Sequence, residues 1–175
     1  YPWPGNVREL GNAVKHGAVL SQGAIVGLPT ESGYLFAASV LKPAAIAELA
    51  GIRTRSAPLL LALKQPWEAM DYVPGMSELA LKFCRRCWAG PVNLGVRTDL
   101  AGGLGAAWTE SARDLVLSAD VEQGKSGRGE SPVREKRYVL WMRCAQHDVV
   151  QAILRLLPAP LILAGDVDAA GKSSR

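Results

Sequence analysis

Short apolar runs at residues 24–28, 58–63, 92–96, 138–142 and 160–163 are separated by helical periodicity or by polar, glycine-containing sequence. Each run is long enough for a strand and too short for a buried helix, which takes about 10–12 residues. Strands that alternate with helices restrict the fold class to α/β (α+β), one twisted mixed sheet flanked by helices. The chain has 175 residues, enough for one domain with a substantial core and too few for two ordinary ones. With 49% hydrophobic residues it is not a disordered chain.

Between the runs, the segment from Val7 to about Leu20 reads as a helix that Asn6 is placed to cap and Gly23 to end. Pro43 opens a second helix, closed by Gly51. The clearest amphipathic pattern spans Ser77 to Trp88. Leu79, Ala80, Phe83, Cys84 and Cys87 share one face, Lys82, Arg85 and Arg86 lie opposite, and Ser77 is a natural N-cap. Asp148 to Leu157 is the last helix, and Pro29 is expected to end the strand that begins at Ala24. Residues 99–136 show no periodicity, and the glycine-rich part at 122–132 is expected to be a loop or lid.

No apolar run is long enough to span a membrane, and residues 1–4 do not look like a signal peptide. The expected location is cytoplasmic, with reduced thiols. A net charge of +4 and a pI near 9.1 fit an anionic partner such as a nucleotide or RNA, and equally a solvated basic face. Cys84 and Cys87 have the spacing of a redox or zinc half-site, but no second pair completes it, so no protein-held metal is expected.

Four blocks, in order, carry a resemblance. Pro29, Thr30, Glu31, Ser32 and Tyr34 follow an apolar strand, as in a P-T-E-T-x-Y signature. Arg53 and Arg55 precede Pro58 and Leu59, as in a K-x-R motif leading to a P-L strand. Trp88, Gly90, Pro91, Val92 and Leu94 follow the amphipathic helix, as in W-P-G-P-L/V-T-L, with Asn93 at the Thr position. Arg143 and His147 match R-x-P-x-H. Together these blocks resemble the YrdC/YwlC family, the threonylcarbamoyl-adenylate synthase-like domains. A fifth block departs from it: after Pro160 and Leu161 the S-A-N triplet is missing, and Asp166 and Asp168 stand there instead. At a few ångströms from a phosphate such a carboxylate costs on the order of 1 kcal/mol unless a magnesium ion intervenes.

The resemblance implies an enzyme that joins L-threonine, bicarbonate and ATP into threonylcarbamoyl-AMP and pyrophosphate, for adenosine modification in tRNA. It implies Arg53 and Arg55 as catalytic residues and Thr30, Ser32, Tyr34 and Asn93 as threonine-binding residues. Arg55, Arg143 and His147 would face the nucleotide, with His147 alternatively capping its helix. ATP is a substrate, with magnesium as a candidate counter-ion, on a concave basic surface. The alternatives are a non-catalytic module that binds double-stranded RNA or a nucleotide, and a degenerate fragment.

Residues 1–10, with Trp3, Pro4, Gly5, Asn6, Val7, Arg8, Glu9 and Leu10, are also similar to the lid motif of AAA+ enhancer-binding activators. No P-loop accompanies it. Residues 1–11 are therefore read as a fusion or fragment remnant, and 12–171 as the YrdC-like domain, truncated at its C-terminus.

Overall fold

The computed structural model describes residues 7–53, 57–98, 100, 102–120 and 137–165. In chain order these form α1 (Val7–Gln22), β1 (Val26–Thr30), β2 (Gly33–Ser39), α2 (Pro43–Ile52), β3 (Leu60–Leu63), α3 (Ala69–Tyr72) and α4 (Glu78–Cys87). Then follow β4 (Leu94–Arg97), α5 (Glu110–Val116), β5 (Ser118–Asp120), β6 (Arg137–Cys144), α6 (Asp148–Leu156) and β7 (Leu161–Ala164). The strands make one sheet in the order β1-β2-β7-β3-β6-β4, as the alternation of runs predicts. Only β3 and β6 are parallel, so the sheet is mixed. Val139 pairs with Arg97 on one side and Ser118 on the other, so β5 adds to the β6 edge that β3 occupies further along.

Strand alternation splits the interior into two layers. Leu61 and Leu63 of β3, Leu140 and Met142 of β6 and Ile162 of β7 meet Ile46 and Leu49 of α2, Cys84 of α4 and Val116 of α5. Leu60, Ala62, Leu161 and Leu163 face the other way, onto Ala13 and Leu20 of α1 and Val150, Ile153 and Leu154 of α6. Strand β3 is buried on both faces, which is why its sequence is continuously apolar rather than alternating. Each fully buried Leu or Ile here stabilises the fold by about 1.5–3 kcal/mol relative to exposure.

Local signals set the helix ends. Helix α1 runs through the boundary expected at residue 12 without a break and stops at Gly23, whose φ is +101°. The Gly23 amide donates to Leu20 O and the Ala24 amide to Val19 O, the paired bonds of a Schellman stop. Ser77 caps α4 as expected, its hydroxyl accepting from the Ala80 amide.

The structure corrects three expectations. Pro29 does not end the first strand but lies inside β1, which is tolerated because β1 is an edge strand that pairs only with β2. Strand β2 is not among the expected runs, although Tyr34, Leu35 and Phe36 are strand-forming residues. The stretch 99–136 is not uniformly irregular: Leu104–Ala107 makes a 3₁₀ turn and Glu110–Val116 makes α5. Thr109 supplies the missed signal, its hydroxyl accepting from the Ala112 amide at 3.3 Å. The lid expected at 122–132 lies outside the described residues, as do residues 1–6.

Candidate functional site

Strands β1 and β2 form a hairpin in which Thr30 pairs with Gly33, leaving Glu31 and Ser32 as its two-residue tip. Gly33, the residue after the tip, has φ +114°, a left-handed conformation that favours glycine. Thr30 Oγ1 donates to Gly33 O at 2.7 Å and lies 3.3 Å from Ser32 Oγ, so Thr30 fixes the turn from within. Strand β2 pairs with β7 only from Phe36 onward, so the tip projects beyond the end of β7.

Arg143 of β6 meets this tip. By alternation its side chain shares the α1/α6 face of the sheet with Trp141, and it is only 3% exposed. A guanidinium is tolerated there because it is paired. Its Nη1 donates to Ser32 Oγ at 3.0 Å and its Nη2 to Glu31 Oε2 at 2.8 Å. The other carboxylate oxygen of Glu31 accepts from the Gln146 amide and, at 2.9 Å, from the His147 amide. These amides belong to the start of α6, where donors lack intrahelical partners and negative charge is favoured. Burial alone would raise the Glu31 carboxyl. Backbone hydrogen bonds and the Arg143 guanidinium more than offset that and hold it below its ordinary value. His147 is the N-cap of α6, its Nδ1 accepting from the Val149 amide at 3.3 Å.

Beside the tip lies a cleft of about 500 Å³ lined by Ser32, Tyr34, Leu35, Phe36, Ala57, Pro58, Leu60, Asn93, Arg143 and Gly165. Asn93 reaches it because the turn before β4 is tied down twice. Trp88 Nε1 donates to Val92 O at 2.8 Å, and the Gly90 amide donates to Cys144 O at 3.0 Å. Tyr34, 79% exposed, stands at the rim.

Of the residues singled out in the sequence, Ser32, Tyr34, Asn93 and Arg143 thus converge on one cleft, although they come from three of the four blocks. Thr30 and His147 stand behind it, as a turn brace and a helix cap. Arg53 is also absent from the lining: its Nη1 donates to Ala57 O. Arg55, Asp166 and Asp168 lie outside the described residues. Sequence reading places Glu31 in the first block but gives it no role; its partner Arg143 lies 112 positions away.

The thiols lie apart from the cleft lining. Cys84 and Cys144 are buried, and burial pushes the Cys144 thiol up to about 12. Among the described residues no group of three or more His, Cys, Asp or Glu is placed to hold a metal ion. Nor is any helix there long and apolar enough to cross a membrane.

Comparison with known proteins agrees with this fold. Residues 18–107 match the Sua5/YciO/YrdC family, described under the heading telomere recombination. No curated protein sequence matches the chain. Among solved structures, E. coli YciO superposes with a TM-score of 0.64 at 16% identity, over 89% of this chain and 63% of its own. P. abyssi Sua5 complexed with L-threonine gives 0.62 at 15% identity, over 88% of this chain and 38% of its own. A double variant of P. abyssi Sua5 gives 0.62 at 15% identity, over 88% of this chain and 40% of its own. The chain therefore spans less than two thirds of the length of these structural relatives. With the family match covering half of its residues and the fold shared over most of its length, the chain belongs to the Sua5/YciO/YrdC family.

Proposed function

We propose that this chain is a threonylcarbamoyl-adenylate synthase-type domain acting in the modification of adenosine in tRNA. The observation that carries this reading is the convergence of Ser32, Tyr34, Asn93 and Arg143 on one cleft. Its volume of about 500 Å³ suits a nucleotide or a comparable small ligand. P. abyssi Sua5 forms a complex with L-threonine, which supports threonine as the amino-acid ligand here.

In this reading the hydroxyls of Ser32 and Tyr34 and the amide of Asn93 hold the polar groups of threonine. Arg143 faces the phosphates, and Arg55 adds a second cation. The threonine amine forms a C–N bond to bicarbonate carbon and water leaves. A carbamate oxygen then attacks the α-phosphorus of ATP, and pyrophosphate carries away the departing charge. Catalysis would rest on positioning and charge stabilisation rather than on a protein nucleophile. Magnesium, carried by the ATP phosphates, supplies charge neutralisation. A cytoplasmic setting completes the proposal.

The test is pyrophosphate release from ATP. The expected result is release that requires both threonine and bicarbonate and is abolished in Arg55→Ala. ATP turnover indifferent to threonine, or no release at all, overturns the synthase reading.

One observation favours a second reading, a module that binds nucleotide or RNA without turnover. Among the described residues, Arg143 is the only charged residue lining the cleft, and Glu31 already neutralises it. Salt-sensitive RNA binding without pyrophosphate release would select this reading.

A further inference from the structure

We propose that Glu31 is a positioning residue for Arg143, so that anion binding in the cleft depends on Glu31 although Glu31 does not line it. This rests on the reading of the cleft as a site for phosphate or carboxylate groups.

The geometry separates the two residues by role. Arg143 and Ser32 are in the cleft wall, and Glu31, which pairs with Arg143, is not. The carboxylate therefore touches the guanidinium without being part of the cleft wall. It is itself fixed: one oxygen is held by Arg143 and the other by the Gln146 and His147 amides. Each of these bonds involves a charged group and is stronger than a neutral one. An arginine side chain is rich in rotamers, and anchoring Nη1 and Nη2 to two residues of one turn removes that freedom before a ligand arrives.

Arg143 also keeps donors in reserve. A guanidinium has five N–H groups, and Ser32 and Glu31 each take one from a different nitrogen. Its Nε is buried and has no partner among the described residues. That nitrogen is shut off from solvent, so any donor offered to a ligand in the cleft comes from Nη1 or Nη2. The acceptors of Glu31, in contrast, are all engaged by the protein. An incoming anion would meet a fixed arginine whose carboxylate partner is held at the start of α6.

The test uses inorganic pyrophosphate as the probe, with calorimetric affinities for the wild type, Glu31→Gln, Arg143→Ala and the double variant. Circular dichroism and thermal unfolding are followed in parallel. Glu31→Gln is expected to weaken pyrophosphate binding by about tenfold, the scale of one charge-assisted hydrogen bond. In the Arg143→Ala background the same change is expected to have no further effect, because Glu31 acts only through Arg143. A general structural role would weaken binding in both backgrounds, and that overturns the proposal. Unchanged or tighter binding by Glu31→Gln overturns it too, since the carboxylate would then be idle or a competitor. A wild type that does not bind pyrophosphate also overturns it. Should Glu31→Gln fail to fold, Glu31→Asp, which keeps the charge but shortens the reach to Arg143, gives the same test with a smaller weakening confined to the background that retains Arg143. A wild type that binds pyrophosphate but releases none from ATP sinks the synthase reading alone and leaves Glu31 to be judged on its own cycle.

Discussion

Gly95 lies against Trp141 so closely that a Cβ on the glycine would sit 3.1 Å from the indole and 2.9 Å from Val139 Cγ1. The two residues are register partners across β4 and β6, on the sheet face that leads to Arg143. Gly95→Ala therefore forces β4 away from β6 and should cost about 1–3 kcal/mol in urea unfolding, with a shifted tryptophan emission in the folded state. Stability within a few tenths of a kcal/mol of the wild type would mean that the indole moves aside freely.

Arg143→Ala removes a buried guanidinium and leaves Glu31 with only backbone partners. Breaking such a pair from one side costs on the order of 3–5 kcal/mol. The expected result is a midpoint in chemical denaturation well below that of the wild type. Arg143→Lys should recover only part of the loss, because an ammonium does not reproduce the fork that reaches Ser32 and Glu31 together.

The Glu31 carboxyl has a lower pKa in the folded chain than its ordinary value of 4.5. A depressed carboxylate adds stability that is fully present above the unfolded pKa and is lost as pH falls through the folded one. The stability difference between the wild type and Glu31→Gln should thus be constant near neutrality and shrink below about pH 4.5. Denaturation curves for both proteins at pH 7 and at pH 3 check this, and a difference that grows on acidification contradicts the assigned direction.

Thiol labelling should separate the cysteines. Burial holds the Cys144 thiol up at about 12 and raises that of Cys84, so neither is a thiolate at pH 8. Cys87 is only half-buried. An aromatic disulfide reagent should modify Cys87 well ahead of the other two in the native protein, and all three once denaturant is added. Fast native labelling of Cys144 would show that the layer around it opens.

The parts of the fold that were legible in the sequence are those with strong local signals. The β3 run, α4 with its Ser77 cap and the stop at Gly23 all follow from periodicity and capping chemistry. The threonine cap of α5 was present but hidden in a stretch without periodicity, and β2 was not among the expected runs despite its strand-forming residues. At the site, motif order put Ser32, Tyr34, Asn93 and Arg143 together, and the cleft does the same. It could not separate the residues that line the cleft from those that brace it. Thr30, Arg53 and His147 have side chains able to bind ligands, and only their hydrogen bonds to Gly33, Ala57 and Val149 show where each is spent. The role of Glu31, a matched residue of the first block, was illegible for the opposite reason, since its partners are remote and no local pattern encodes them.

The strand order carries a consequence for how the chain must assemble. The early strands β2 and β3 touch only through β7, and β3 reaches β4 only through β6. The last two strands of this sheet to leave the ribosome are thus wedged between neighbours made long before them. A nascent chain that stops short of residue 137 holds a hairpin and isolated strands with no continuous sheet, and an Asn93 and a Ser32 with nothing to bring them face to face. Residue 137 is thus only the first threshold: β6 joins β3 to β4, and β7 must follow to join β2 to β3, so a copy that lacks either strand has no complete pocket wall.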